Sequence, residues 1–355
     1  MFQYKPAEVA THKLRQESRP RRSLPPIVFF CLISLCCIGN VLADEKPDRI
    51  TVATWNLEWF FDNDSADNFS DLARQQSAPS ENEWQWKLTH VAEAIAEMKP
   101  TILALQEVEN RRVLFALQNE LRDKHQLSYR IAHIEGFDSS TEQDVAILYR
   151  SGLVEYCCKE QSREMWNSKR YYNLNKHLFA RFEWGAGDQK QRLTVAMAHL
   201  RATAESSNIR QQQARLLRVW LQPQIDAGEN IIALGDFNSE TDCDRPEKDS
   251  EIFILRGLET ATETDDLLDL NIYLAKDQRA THLTGKQFDR ILASQAMLAD
   301  DPHHVDLVFQ SIVNRKDLVI QQNPDKDHYG MYYKIPQQQR DISDHYPVMA
   351  IFLFK

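Results

Sequence analysis

Hydrophobic and polar residues follow a regular pattern from residue 49 onward, where short apolar runs alternate with stretches of helical spacing. Compact apolar runs predict buried strands, whereas apolar residues recurring about every three or four positions predict amphipathic helices. The predicted strands are 49–55, 101–105, 145–149, 178–182, 193–198, 231–234, 291–292 and 348–354. The predicted helices are 86–98, 112–121 and 208–221. This alternation, with hairpin-like strand pairs between, predicts a layered α/β sandwich.

Three polar segments are predicted to be long loops: 61–83, 241–250 and 322–342. The first contains Asp62, Asp64 and Asp67, a composition also found in calcium-binding loops. It lacks the spacing and the glycine of an EF-hand, so we interpret it as a solvated acidic loop.

The first 43 residues differ from the rest of the 355-residue chain. Basic residues precede the apolar run 27–38, and Val41-Leu42-Ala43 follows it. This order is typical of a secretory signal peptide cut after Ala43, and an uncleaved membrane anchor over residues 27–42 is the alternative. We therefore expect a periplasmic or secreted protein, or a membrane-anchored one. Residues 44–355 are long and apolar enough for one large domain.

Outside that segment the cysteines are Cys157, Cys158 and Cys243. Their spacing does not match a zinc site. One disulfide from Cys243 to Cys157 or to Cys158, or no disulfide, is compatible with the sequence.

The chain carries a formal net charge of −10 and provides no broad positive field for nucleic acid or an anionic membrane. A polyanionic substrate would therefore depend on local arginines and on a bound cation.

Polar residues stand at the borders of the predicted strands. Asn56 follows the first strand, and its amide suits a metal-bound water or a phosphate oxygen. Glu107 follows the second strand and is a plausible oxygen ligand for magnesium. His199 ends another strand. In Gly235-Asp236-Phe237-Asn238, glycine permits a tight turn that lets Asp236 and Asn238 face the same space.

Two further acids flank the last strands. Asp289 precedes the strand at 291–292; the structural alternative to a chemical role is a salt bridge to its neighbour Arg290 or to another surface base. Asp344 and His345 precede the final strand, in an order that pairs a metal-binding carboxylate with a proton-accepting imidazole. Together these clusters predict metal-assisted hydrolysis of a phosphate ester.

The clusters occur in an order that resembles the endonuclease/exonuclease/phosphatase superfamily, in particular its deoxyribonuclease I-like branch. The matching motifs are Trp55-Asn56, Gln106-Glu107, His199-Leu200, Gly235-Asp236-Phe237-Asn238, Phe288-Asp289-Arg290-Ile291 and Ser343-Asp344-His345-Tyr346-Pro347. The resemblance covers the chain from about residue 49 to its end. It implies a four-layer αββα sandwich with the active site at one edge of two sheets.

The resemblance also implies a metal site and a general base. Glu107 would be the main ligand of Mg²⁺, or of Mn²⁺ or Ca²⁺, assisted by Asn56 and Asp344. His345 would activate water, with Asp289 fixing its tautomer and orientation.

The remaining roles follow in the same way. Asp236 and Asn238 would position the nucleophile and stabilise the pentacovalent phosphate. His199 would protonate the leaving oxygen or hold a phosphate oxygen, partnered by Glu142 or Asp144.

Substrate is less well specified by the resemblance. Deoxyribonuclease I has an arginine for the DNA minor groove where this chain has Glu109, and Arg111 or Arg112 could either replace it or form a helix-surface pair. A lipid substrate would need exposed aromatic contacts with the membrane. Trp84, Trp86 and Trp166 could provide them, but we interpret these residues as core or loop anchors.

The predicted function is therefore an exported, metal-dependent phosphodiesterase that is nuclease-like, with nucleic acid as the expected substrate. A sphingomyelinase-like or small-molecule phosphoesterase is the first alternative. A non-catalytic binding protein with the same fold is the second. No motif implies a protein partner.

Overall fold

The computed structural model describes residues 47–301, 305–320, 328 and 330–355. The predicted signal peptide or anchor at 1–43 lies outside the described residues. Within the described part, no helix is long and apolar enough to cross a membrane.

Two six-stranded mixed sheets form the centre of the domain. The first sheet has the order β11-β12-β1-β2-β4-β3 and the second has the order β5-β6-β7-β8-β10-β9. The strands of the first sheet are β1 (Arg49–Phe60), β2 (Ile102–Val108), β3 (Arg130–His133), β4 (Asp144–Tyr149), β11 (Leu307–Asn314) and β12 (Val348–Phe354). Those of the second sheet are β5 (Leu153–Cys157), β6 (His177–Trp184), β7 (Gln191–Ala198), β8 (Ile231–Asp236), β9 (Leu268–Asp269) and β10 (Asp289–Ala293).

The helices are α1 (Asp71–Gln76), α2 (Glu81–Met98), α3 (Arg111–His125), α4 (Arg163–Ser168), α5 (Ser207–Asp226) and α6 (Glu251–Arg256). Four of them cover the outer faces of the sheets. Apolar residues of α2 and α3 pack on the first sheet, and those of α5 and α6 pack on the second.

The central strands β1, β2, β8 and β10 are buried on both faces, which explains why they read as nearly continuous apolar runs. Alternate residues of β1 show this: Val52 packs between the two sheets, whereas Ala53 packs outward under the helices. A separate apolar cluster fills the space between the sheets. The predicted four-layer αββα sandwich is confirmed.

Short elements without a full apolar period were not predicted: α1, α4, α6, β3, β5, β9 and β11. The loop prediction for 61–83 was wrong in part, because it contains α1 and the start of α2. There Ser80 Oγ accepts a hydrogen bond from the Glu83 backbone N–H at 3.4 Å, a serine–glutamate pair that is a helix-start signal in the sequence. Of the segment 322–342, residues 322–327 and 329 lie outside the described part.

The topology brings distant polar residues to one edge. Strands β1 and β2 are parallel, as are β7 and β8, so the carboxyl ends within each pair coincide. Strands β10 and β12 run antiparallel to their neighbours and begin at those ends. The register pairs Asp289 directly with Asp236 across β10 and β8.

The ion pair considered as the structural alternative for Asp289, with Arg290, does not form among the described residues. Successive strand residues point to opposite faces of a sheet, so these neighbours diverge. Arg290 Nη1 instead lies 2.7 Å from Asp269 Oδ2, and both side chains are fully buried. Asp289 is thereby left to face the first sheet.

Two smaller expectations concern side chains outside the site. Cys157, Cys158 and Cys243 are free thiols, so the disulfide considered for Cys243 is absent from the described structure. The acidic loop is exposed over residues 63–67, as predicted, and the Arg112 guanidinium binds Asp62, Asp64 and Asp67. The charge of Arg112 is therefore paired with these three carboxylates.

Candidate active site

The sequence-predicted residues converge on one cavity of about 570 Å³ at the shared edge of the two sheets. Six of them line it: Glu107, His199, Asp236, Asn238, Asp344 and His345. The other two, Asn56 and Asp289, lie behind this lining and hydrogen-bond to it.

Asn56 connects the two sheets. Its Nδ2 donates to Glu107 Oε1 and to Asp236 Oδ2, both at 3.0 Å. Its Oδ1 accepts from the Glu58 backbone N–H at 2.9 Å. The amide therefore holds the two carboxylates in place, and the ligand role predicted for Asn56 stays a prediction.

Glu107 projects from an irregularity in β2. The pairing with β4 shifts register between Gln106 and Val108, and Glu107 has a positive φ of 60°. A bulge of this kind redirects a side chain at a sheet edge. The Trp59 backbone N–H donates to Glu107 Oε2 at 3.0 Å and fixes the second oxygen.

His345 is oriented from the second sheet. Its Nδ1 lies 2.8 Å from Asp289 Oδ2, which sets the tautomer with the proton on Nδ1. Its Nε2 then faces the cavity, 3.7 Å from Asp236 Oδ2 and 3.9 Å from Asp344 Oδ1. The Asp289 backbone N–H donates a hydrogen bond to Thr281 Oγ1 at 2.9 Å.

The surrounding acids control the charge of His345. Burial disfavours the imidazolium, but the charges of Asp289, Asp236 and Asp344 outweigh it and raise the pKa of His345 well above its ordinary value. In return, although burial opposes ionisation, the charges of His345 and His199 lower the pKa of Asp236. The imidazole and the carboxylates therefore stabilise one another's charged forms.

Glu107 lacks sufficient positive charge nearby, whereas at Asp344 burial is outweighed by the charges of His345, His282 and His328, which lower the pKa of that carboxyl. Burial, followed by the charge of Asp344, raises the pKa of Glu107 to about 7. Asp344 Oδ1 is buried without a hydrogen-bond partner. A hard divalent cation favours such oxygen donors and would relieve this repulsion, so the residues fit a Mg²⁺-type ion.

His199 lies between the carboxylates, with Nε2 3.4 Å from Asp236 Oδ2 and 4.0 Å from Glu107 Oε1. Burial lowers the pKa of His199 to about 4, and its Nδ1 is buried without a hydrogen-bond partner. Neither predicted partner reaches it. Glu142 accepts from the Phe69 backbone N–H, and Asp144 binds His133.

The turn after β8 matches the sequence expectation. Gly235 has a φ of 137°, and a Cβ there would lie 2.0 Å from the Ala198 carbonyl oxygen, so only glycine fits. Asn238 donates its backbone N–H to Asp236 Oδ1 at 2.9 Å and its Nδ2 to the Leu200 carbonyl at 3.1 Å. Phe237 is buried between them.

Sequence reasoning missed several contributors to the site. His282 Nε2 lies 3.3 Å from Asp344 Oδ2, and its ring contacts that of His345 with 4.6 Å between centroids. Glu58 Oε2 accepts from the Asp344 backbone N–H and lies 2.8 Å from His328 Nδ1. His282 and His328 follow no apolar strand run, so the pattern that identified the other residues gave no signal for them. Glu58 lies in β1, two residues after Asn56, and was not assigned a role.

Residues 53–345 match the Endonuclease/Exonuclease/phosphatase family. The chain therefore belongs to this family, as the resemblance predicted, and family members hydrolyse phosphoester bonds. No curated protein sequence matches the chain.

Solved structures share the fold at low sequence identity. The human Nocturnin catalytic domain with bound sulfate is 16% identical with a TM-score of 0.54, covering 88% of this chain and 96% of that one. A Bacteroides vulgatus endonuclease/exonuclease/phosphatase is 15% identical with a TM-score of 0.53, covering 87% and 100%. Truncated Caenorhabditis elegans TDP2 is 18% identical with a TM-score of 0.51, also covering 87% and 100%.

The Asp289–His345 contact can be tested by Asp289→Asn. An amide preserves the shape but removes the charge and the demand for a proton on Nδ1, so turnover should fall by about 10²-fold or more. Loss of the negative charge should also lower the pKa of His345, moving the acid limb of the pH–rate profile to lower pH. An unchanged rate and profile would separate Asp289 from the function of His345.

Proposed function

We propose that the chain is an exported phosphodiesterase that depends on a divalent cation and acts on nucleic acid. One observation supports this most: the Asp289-bound imidazole of His345 faces the cavity beside Glu107, Asp236 and Asp344. An oriented base next to a set of buried carboxylates is the arrangement that phosphate-ester hydrolysis needs.

Glu107 and Asp344 would hold the cation, with Asn56 fixing the orientation of Glu107. When bound, the ion would supply positive charge that polarises a phosphate oxygen and offsets charge developing at phosphorus. Mg²⁺ is the expected ion, with Mn²⁺ or Ca²⁺ as alternatives.

The protein's own groups then divide the proton transfers. In its neutral form, His345 would accept a proton from the attacking water at Nε2, and Asp289 would stabilise the imidazolium that results. Asp236 and the Asn238 amide would position that water against phosphorus. His199, whose pKa is low, would donate a hydrogen bond to a phosphate oxygen as a neutral imidazole.

Export is proposed on the basic and apolar order of residues 1–43. Expressed from its full gene, the protein should appear outside the cytoplasm with its N-terminus at Asp44, measured by intact mass after fractionation. Recovery of the full-length chain in the membrane fraction would instead support the uncleaved anchor.

The activity can be tested by incubating the purified protein with plasmid DNA, RNA or sphingomyelin, each with Mg²⁺ and with EDTA. Nucleic acid should be cut only with Mg²⁺, and His345→Ala should lose about 10²-fold or more in rate. His125→Ala, at the end of α3 and away from the cavity, is the matched control and should retain the wild-type rate.

Each other outcome selects an alternative. Hydrolysis of sphingomyelin alone would favour a lipid phosphodiesterase. If the folded protein hydrolyses none of the three substrates, a small phosphodiester substrate or a non-catalytic binding role would be favoured. Equal rates in EDTA would contradict the metal dependence.

A further inference from the structure

One wall of the cavity carries exposed aromatic rings. Trp166 lies on α4, and Tyr172 follows in the loop that leads to β6; we call these two residues the aromatic rim. Both line the same cavity as Glu107 and His345. Trp166 is 50% exposed and Tyr172 is 43% exposed, so a substantial part of each ring meets solvent.

Exposed rings at a concave site differ from the other tryptophans considered for surface contact. Trp84 is buried in the core, and the Trp86 ring stacks on His90. Trp166 instead has the Lys169 ammonium 5.0 Å from its ring centroid. A ring next to a cation forms a surface that suits a flat, electron-rich group beside a negative charge.

The segment that carries the aromatic rim is basic, although the protein as a whole is acidic. Residues 163–176 contain Arg163, Lys169, Arg170 and Lys176 against the single acid Glu164, whereas the whole chain has a net charge of −10. The first three of these cations form no ion pair with a described residue and are exposed. Their charge is therefore available to attract an anion toward the cavity.

The base of the wall is anchored through Lys176. Lys176 Nζ donates to Thr141 Oγ1 at 2.8 Å and to Gln143 Oε1 at 2.7 Å, and it lies 3.0 Å from Asp138 Oδ2. These contacts connect the loop after α4 to the segment before β4, so Tyr172 is carried by a braced loop. Preorganised rings lose less conformational entropy when they bind a ligand.

Aromatic rings interleaved with cations recognise unpaired nucleotides, because each base offers a face for stacking and each phosphate a charge. Bases inside a duplex already stack on their neighbours and do not present that face. We propose that the aromatic rim stacks an unpaired base of the substrate strand, so that the enzyme acts on single-stranded nucleic acid or on unpaired ends. This inference rests on the proposed function and specifies its substrate.

A lipid surface is the competing occupant of exposed aromatic residues, and the surroundings disfavour it. The rings line a concave cavity rather than project from a convex face, and their neighbours Asn173 and Asn175 are polar and also line it. A cavity of about 570 Å³ falls in the size range of sites for small organic ligands, which suits one nucleotide unit.

The test measures binding in EDTA, where hydrolysis is suppressed, using a fluorescent single-stranded oligothymidylate at one fixed salt concentration. The double variant Trp166→Ala with Tyr172→Ala should weaken binding by about tenfold or more, as expected when stacking is lost. Replacing both residues by Phe should restore most of the affinity. Tyr273→Ala, which removes a ring that is 58% exposed but not part of the cavity lining, should bind like the wild type.

Two further probes define the ligand. An oligonucleotide of the same length with abasic sites should bind the wild type and the Ala variant equally weakly, and a duplex should bind more weakly than the single strand. Equal binding of the single strand by the wild type and the Ala variant would overturn the inference. So would a loss of vesicle binding in the Ala variant with unchanged oligonucleotide binding, which would assign the rim to lipid.

The two proposals fail in different ways. If the wild type cuts DNA or RNA with Mg²⁺ but the Ala variant binds the single strand normally, only the rim inference is wrong. If the wild type cuts no nucleic acid, the proposed function is wrong, and failure to bind the single strand would then overturn the rim inference as well.

Discussion

The concentration of carboxylates at one edge of the two sheets is the constraint on which the site depends. Glu107, Asp236, Asp289 and Asp344 are drawn together by strand pairing, where like charges repel in a poorly solvated space. His345 offsets part of this repulsion through its contact with Asp289. The raised pKa of Glu107 shows that the compensation is incomplete, which is the physical reason for expecting a cation.

The same constraint explains why sheet topology matters more than local sequence. Parallel pairs in each sheet bring strand ends together, and the antiparallel entry of β10 and β12 delivers Asp289 and Asp344 to those ends. Asn56 then joins the sheets by donating to a carboxylate from each. The site is consequently a product of both sheets, and separating their edges would remove it.

Sequence was informative where chemistry adjoins a strand, because a buried apolar run is a local signal. Glu107 and Asp236 were found in this way, and the resemblance linked Asp289 to His345. Contacts between distant segments left no such signal, as with His282 beside Asp344. The ion pair considered between Asp289 and Arg290 does not form, because adjacent residues of a strand point to opposite faces of the sheet. Trp166 was considered from the sequence but interpreted as a core or loop anchor, and its position beside the cavity was not predicted because α4, with six residues, is too short to show a helical period.

The most direct test of the central claim is calorimetric titration of Mg²⁺ into the wild type, Glu107→Gln and Glu109→Gln. Glu109 is a matched control, since burial also raises its pKa to about 7. Its carboxylate accepts hydrogen bonds from the Asp62 backbone N–H and from Asn68 Nδ2, away from the cavity. The wild type and Glu109→Gln should bind the ion, and Glu107→Gln should bind it much more weakly. Equal affinity in all three proteins would contradict the claim that these carboxylates form the metal site.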